Sequence, residues 1–325
     1  MNPNASIKRY TLIIVSMASF LTPFMGSAIN LAIPSIGKEF GISTFLLGWL
    51  ASSYLLASAA FLVPFGRLAD IVGRKKVFVL GISIFALSSI LCGIAWSIEM
   101  LIFSRILQGT ASAMIFGTGV AILTSVFPPH ERGKVLGINV ATVYTGLSLG
   151  PVLGGVMNHH LGWQSIFIFT AVIAAAAAIV TIMKMRGEWA GAKGEKFDIT
   201  GAILYSIGLI ALMYGISAVA EIPSAKYLLV LGIVILGIFI LYELKAKAPV
   251  LNLSLFKNVT FAFSNLAAFI NYSTTSGLGF LLSLYLQIIS GFDSQVAGLI
   301  LLSQPVIMAL LSPFAGSLFR QGGTA

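Results

Sequence analysis

Ten stretches of about 20 or more mostly apolar residues dominate this chain, and each is long enough to cross a bilayer as a helix. They run roughly over 11–36, 44–65, 77–96, 100–127, 135–157, 166–184, 201–220, 227–244, 261–289 and 295–318. Backbone amides in hydrocarbon find no water, so such a chain is confined to segments that satisfy their own hydrogen bonds. The expected fold class is an all-α integral membrane bundle. The composition agrees: 58% of residues are apolar and 9% charged, against about 45–50% and about 25% in soluble domains. A soluble enzyme and a disordered or fibrous chain are excluded together. The single cysteine, Cys92, lies inside an apolar stretch and has no disulfide or metal-site spacing around it. The first stretch is too long for a signal-peptide core and reads as a retained helix.

Loop charges give the direction of threading. Of 19 Lys and Arg residues, all but three fall in loops on one side. Lys38 and Lys226 lie on the other, and Arg105 lies inside a stretch. Basic loops stay in the cytoplasm, so the N-terminus is expected there, in a multi-pass cell-membrane protein. The net charge of +9 is then a matter of topology. No Lys/Arg run with interleaved aromatics marks a nucleic-acid face.

Two segments repeat. Gly41–Leu68 and Gly291–Leu318 align at Gly41/Gly291, Gly48/Gly298 and Ser53/Ser303, and at Pro64-Phe65/Pro313-Phe314 after a one-residue shift. The alternative is chance, since Gly, Ser and Leu are common in membrane helices. On the repeat reading, residues 1–184 form a six-helix half. Residues 185–260 hold a connector, two inserted spans and a loop, and 261–325 begin a second half. The chain then stops two spans into that half, and a complete protein is expected to have 6 + 2 + 6 spans.

Several motifs carry mechanism. The loop after the second stretch reads Gly66-Arg67-Leu68-Ala69-Asp70-Ile71-Val72-Gly73-Arg74-Lys75-Lys76. Gly66 permits close helix approach. Asp70 and Arg74, four apart, can pair along one helical turn. The carboxylate can also face a helix N-terminus. A plain basic loop would explain Arg74, Lys75 and Lys76 but not Asp70, Gly66 and Gly73. The fourth stretch carries Arg105-Ile106-Leu107-Gln108-Gly109. A cation at that depth faces protein or water, unless it snorkels outward. The fifth carries Gly146, Gly150 and Gly154 at four-residue spacing, with Pro151 and Gly155. The glycines make a flat stripe for a partner helix, and the proline favours a kink. That suits a hinge or seal, and the plainer reading is a small-residue packing face.

These segments resemble the major facilitator superfamily. The loop matches its G-x-x-x-D-x-x-G-R-[KR] signature at every defining position, the fourth stretch its R-x-x-Q-G segment, and the fifth its G-x-x-x-G-P-x-x-G-G segment. Trp163-Gln164-Ser165-Ile166-Phe167, Phe197-Asp198-Ile199-Thr200-Gly201 and Pro249–Phe256 look like the fourteen-span drug:proton antiporters. Gln164 stands where Arg is usual. The resemblance implies a monomeric secondary transporter with no cofactor, driven by the proton gradient. Gly66, Asp70, Gly73 and Arg74 would latch the two halves. Arg105, Gln108 and Gly109 would couple to the proton, and Gly146, Gly150, Pro151, Gly154 and Gly155 would form the antiporter hinge. One departure stands out: the Met25–Pro34 stretch lacks the acidic residue common in that branch, and no Asp or Glu lies mid-span anywhere.

Among intramembrane polar residues, Asn30, Tyr144, Asn271 and Gln304 are the candidates for substrate contact, against a plain role as interhelical glue. His159 and His160 read as exposed, and the 184–200 loop as a solvated connector. The expected function is proton-coupled export of lipophilic compounds. Its rivals are a carrier for a specific metabolite or lipid, and a non-transporting receptor or assembly protein. A membrane enzyme would need a nucleophile–base pair or metal cluster at depth, which the sequence lacks.

Overall fold

The computed structural model describes residues 3–308 apart from Arg186 and Pro305, and apart from the side chains of residues 3–5, 44 and 45. All regular structure among them is helical. The helices are α1 (Pro3–Phe40), α2 (Thr44–Val72), α3 (Arg74–Gly93), α4 (Ile98–Val126), α5 (Pro129–Leu161), α6 (Gln164–Lys184), α7 (Ile199–Ala218), α8 (Ala225–Glu243), α9 (Val259–Leu284) and α10 (Ser294–Leu301). A 3₁₀ turn at Leu253–Lys257 precedes α9, and a π turn at Tyr285–Ile289 follows it.

The boundaries follow local chemistry. Gly41 ends α1 in the left-handed region, with φ of 62°, and Ser43 Oγ then accepts the Leu46 N–H to start α2. Gly291, with φ of 71°, is followed by Asp293, whose Oδ1 accepts the Val296 N–H at 2.8 Å to start α10. The two repeat segments therefore open with one device, a left-handed glycine and a capping side chain two residues later. Gly48 and Gly298 differ in surroundings: nothing lies within 4 Å of a Cβ on Gly48, whereas one on Gly298 would collide with the Pro151 carbonyl. Pro313, Phe314, Arg320 and residues 321–325 lie outside the described residues.

Helices α1 to α6 share one core. Ile14, Val15, Leu21, Phe24, Met25 and Ile29 of α1 are fully buried in it, and Phe24 meets the Phe169 ring of α6 at 5.7 Å. Helices α7 and α8 pair through glycines. A Cβ on Gly215 would lie 2.5 Å from the Leu229 amide, and one on Gly232 would run into the Leu212 backbone. The pair is fastened to α2 by hydroxyls: Ser206 Oγ donates to the Ala60 carbonyl at 2.8 Å and Tyr205 to the Ala59 carbonyl at 3.2 Å.

Eight helices, α1 to α8, are long and apolar enough to cross a membrane. Ten were expected. The ninth expected span is helix α9, 26 residues long, with Asn265, Asn271 and the Tyr272–Ser276 run along it. The tenth is an apolar helix followed only to Met308.

Candidate functional site

The expected loop is helical on both sides of one residue: Gly66–Val72 close α2 and Arg74–Lys76 open α3. Gly73, with φ of 122°, is the last cap of α2 and the first of α3. The expectation that Asp70 and Arg74 pair along one turn of one helix is corrected by this break. Asp70 ends one helix and Arg74 begins the next, and the pair closes across Gly73 with Arg74 Nε and Nη2 both 2.7 Å from Asp70 Oδ1. Arg74 Nη1 reaches on to the Ala121 carbonyl at 3.1 Å and Ser125 Oγ at 2.7 Å on α4. One guanidinium thereby ties α2, α3 and α4 at the face carrying this turn (the loop face). Gly66 does permit close approach: a Cβ on Gly117 of α4 would lie 3.3 Å from the Gly66 Cα.

The connector after α6 is not merely solvated. Its charged side chains are largely exposed, but its backbone docks on the loop motif. The Arg74 N–H donates to the Trp189 carbonyl at 2.8 Å, and the Ala192 N–H donates to the Asp70 carbonyl at 2.9 Å. Glu188 Oε1 accepts the Lys75 N–H at 2.8 Å in the first turn of α3, where a carboxylate suits the positive end of a helix. Asp70 was the sequence candidate for facing a helix N-terminus; Glu188 takes that role. Glu195 pairs with Arg67 at 2.5 Å. The glycines flanking these contacts were the available signal: Gly191 lies against the Asp70–Arg74 pair, with Arg74 Nη2 3.1 Å from where its Cβ would be.

Arg105 is fully buried, which settles it as inward-facing rather than snorkelling. Its Nε donates to the Leu50 carbonyl at 3.1 Å and its Nη1 to Gln108 Oε1 at 2.6 Å. Gln108 passes the chain on to Ser89 Oγ at 2.7 Å. The guanidinium lies 4.4 Å from the centre of the Tyr54 ring, an attraction strengthened by desolvation. The Tyr54 hydroxyl donates to the Thr22 carbonyl and accepts from the Ser112 hydroxyl. Gly109 lets α2 come this close, since a Cβ there would collide with the Tyr54 carbonyl. The Leu50 carbonyl, the Gln108 amide oxygen and the Tyr54 ring face meet the cation, while its Nη2 is buried without a hydrogen-bond partner.

The α5 stripe faces two helices. Gly146, Gly150 and Gly154 lie against α1: a Cβ on Gly146 would come 2.5 Å from the Phe20 carbonyl, one on Gly154 2.8 Å from the Ala28 Cβ, and one on Gly150 would collide with Ser27 Oγ. Gly155 and Pro151 turn the other way and meet α10. Ser294 Oγ donates to the Gly155 carbonyl at 3.0 Å, and the Pro151 carbonyl abuts Gly298. Backbone approach of this kind is how membrane helices gain packing without a hydrophobic driving force.

The sequence matches the family described as Major Facilitator Superfamily over residues 15–323. The chain belongs to that superfamily. It is 32% identical over 97% of its length to the riboflavin transporter RibZ of Clostridioides difficile (strain 630), covering 69% of that protein. It is 30% identical over 96% of its length to the multidrug resistance protein Stp of Mycobacterium tuberculosis (strain ATCC 25618 / H37Rv), covering 59% of it. Identity to the multidrug export protein EmrB of Escherichia coli (strain K12) is also 30%, over 94% of this chain and 60% of that one. The chain thus spans about 59–69% of the length of these relatives. A POT family transporter solved with 5-aminolevulinic acid shares the fold, with a TM-score of 0.72 at 15% identity over 97% of this chain and 71% of that one. RibZ and the solved neighbour are named as transporters and EmrB as an export protein.

Within this superfamily member the four substrate candidates are spread out. The Asn30 backbone carbonyl accepts a bond from Ser283 Oγ of α9 at 2.9 Å. Tyr144 faces Tyr272 of α9. Asn271 is exposed and accepts from Thr275 Oγ1 of its own helix, and Gln304 is half-buried beyond α10. Asn271 therefore sits on α9, and Asn30 and Tyr144 sit on helices that touch it. Sequence reasoning passed over Asn158, which is buried on α5 and donates to the Leu31 carbonyl at 3.1 Å and Ser35 Oγ at 2.9 Å. It also passed over Glu39, whose carboxylate holds Trp163 Nε1 at 2.6 Å and Gln164 Nε2 at 3.4 Å. Gln164, in the place of the usual Arg, keeps a bond between α6 and α1.

Proposed function

We propose that this chain is part of a proton-coupled exporter of lipophilic small molecules in the fourteen-span branch, with its N-terminus and loop face in the cytoplasm. The observation that carries the reading is the α5 seam. Three glycines seal α5 onto α1, while Gly155 and Pro151 seal it onto α10. A helix packed by backbone on both sides can rock as a unit while excluding water and ions from the gap. Alternating access needs such a seal on the outer side when the inner side opens. Asp70, Arg74 and the docked connector hold the loop face, and Arg105 places a fixed buried charge beside α2. The multidrug names of two relatives support the lipophilic substrate class.

A second reading has its own support. The riboflavin transporter matches at 32% identity over nearly the whole chain, and the spans carry no mid-membrane carboxylate to pair with a cationic drug. A carrier for one neutral, flat metabolite fits those facts.

The test is efflux of a fluorescent lipophilic dye from cells expressing the natural gene, with and without an uncoupler, beside riboflavin flux in the same cells. Dye efflux that collapses with the proton gradient and with Asp70→Asn supports export. Riboflavin flux without dye efflux replaces it with the second reading.

A further inference from the structure

A proline inside a helix has no N–H, so the carbonyl four residues before it loses its helical partner. Pro34 lies inside α1 and opens the Asn30 carbonyl in this way; Pro64 lies inside α2 and opens that of Ala60. Both carbonyls are taken by a serine from a helix that follows the α1–α6 core. Ser283 Oγ of α9 donates to the Asn30 carbonyl at 2.9 Å, and Ser206 Oγ of α7 donates to the Ala60 carbonyl at 2.8 Å. A buried serine can instead bond within its own helix, as Ser89 does with the Phe85 carbonyl at 2.7 Å. Ser283 and Ser206 reach across to the acceptors that proline has freed.

The α9 bond sits where that helix is seated. Residues 263–274 of α9 are exposed, and Ser283 near its far end is fully buried. Gln287 fixes the direction of the bond: its Nε2 donates to Ser283 Oγ at 3.1 Å, which leaves the serine proton for Asn30. Gln287 belongs to the π turn after α9, closed by the Ser290 N–H on the Tyr285 carbonyl at 3.0 Å. Leu31, the residue after Asn30, is buried in one cluster with Leu286 of that turn and with Ala297 and Leu301 of α10. The bond and the cluster close the same end of the bundle.

We propose that the Ser283 hydroxyl and the Asn30 carbonyl form a gate contact between α9 and α1, created by Pro34 and broken when this end of the bundle opens. An ordinary helix carbonyl keeps its partner whether or not a neighbouring helix is present. The Asn30 carbonyl has the serine only while α9 is seated, and water only once this end is open. Between the two it has neither, which is costly in a dry interior. The seated and open states are therefore both satisfied, and the passage between them is not. That is the behaviour of a two-position gate. Ser283 acts here as a positioning residue. The inference rests on the reading of the chain as an alternating-access carrier. Its test reads the exposure of a buried position rather than flux, so it can fail while the dye-efflux test succeeds, and the reverse.

The experiment is maleimide labelling of the purified full chain in nanodiscs. The parent carries Ala297→Cys, at a fully buried position in the cluster, together with Cys92→Ala. Ser283→Ala is expected to raise the labelling rate about twofold to tenfold, the equilibrium shift for one lost hydrogen bond of ordinary net worth. Adding Pro34→Ala is expected to bring the rate back towards the parent. Residue 34 then supplies an N–H, and the Asn30 carbonyl no longer depends on α9. A serine that only fills space between the helices would not be rescued from a position on α1. Labelling of Ser283→Ala at the parent rate overturns the proposal, and so does a double variant that labels as fast as Ser283→Ala. If Pro34→Ala fails to fold, Ser283→Thr takes its place. It keeps the hydroxyl and is expected to label like the parent; labelling like Ser283→Ala overturns the proposal.

Discussion

Ser294 at the start of α10 donates from its hydroxyl to the carbonyl of Gly155 on α5, at 3.0 Å, and a Cβ on Gly155 would run into the Ser294 carbonyl. The bond and the absent side chain work together, because the hydroxyl reaches the carbonyl only while the two backbones touch. Gly155→Leu is expected to separate the helices and reduce transport at least tenfold. Ser294→Ala removes one interhelical bond, worth about 0.6 kcal/mol in membranes, and is expected to leave transport within a few-fold. Initial-rate flux at matched expression separates the two. Equal loss in both variants would mean that the hydrogen bond, not the close packing, holds the seam.

The docked connector gives a prediction about the loop face. Glu188→Ala removes the acceptor for the Lys75 N–H and is expected to cost about 1 kcal/mol, the usual worth of a helix cap. Glu195→Gln breaks a half-exposed ion pair with Arg67 and is expected to cost about 0.2–1 kcal/mol. Thermal unfolding in detergent, at low and high salt, checks both. The Glu195→Gln effect should shrink with salt, while much of the Glu188→Ala effect should persist.

Arg105 and Tyr54 are coupled through a ring face. Tyr54→Phe keeps the ring under the guanidinium and removes the bond the hydroxyl donates to Thr22 and the one it accepts from Ser112, an expected loss of about 1 kcal/mol. Tyr54→Leu also removes the π face and is expected to destabilise by about 2 kcal/mol more, the value for a desolvated cation–π pair. Arg105→Lys keeps the charge but cannot bond Leu50 and Gln108 at once in fixed planar geometry, and is expected to abolish transport with folding retained. A double-mutant cycle between positions 54 and 105, read by unfolding temperature, would show the coupling. An additive cycle would refute it.

Gly109→Ala is expected to destabilise by about 1–3 kcal/mol, the range for overpacking, because its methyl would meet the Tyr54 carbonyl. Gly48→Ala has open space and is expected to be neutral. A comparison of expression and unfolding temperature tests the contrast, and equal effects would place the α2–α4 crossing elsewhere.

Helix positions were legible because apolar runs, prolines and capping residues act locally; α3, α4 and α6 begin and end within about three residues of the sequence expectation, while α2 runs on from 65 to Val72. The α5 stripe was legible as a stripe, though its two separate partners were not, since spacing does not say which helix a glycine meets. The connector was misread for a related reason. Its docking runs through the backbone of Trp189 and Ala192, marked in residue type only by flanking glycines such as Gly191, and Glu188 looks like any solvated acid. The α9 helix lies within the ninth expected stretch, with polar residues at its centre. Pro34 marks an open carbonyl at Asn30, but Ser283, 253 positions after Asn30, meets it through folding alone.

The polarity of α9 also bears on how the protein is made. A helix with Asn265, Asn271 and a Tyr-Ser-Thr-Thr-Ser run at its centre enters lipid less readily than the same helix with apolar residues there. Its attachment to the Asn30 carbonyl through Ser283 means that a surface synthesised some 250 residues earlier is there to receive it. Biogenesis then has an order imposed by physics, with α1 settled before α9 leaves the insertion channel. Defects in α1 should surface as late-stage failures of integration and as turnover by membrane quality control.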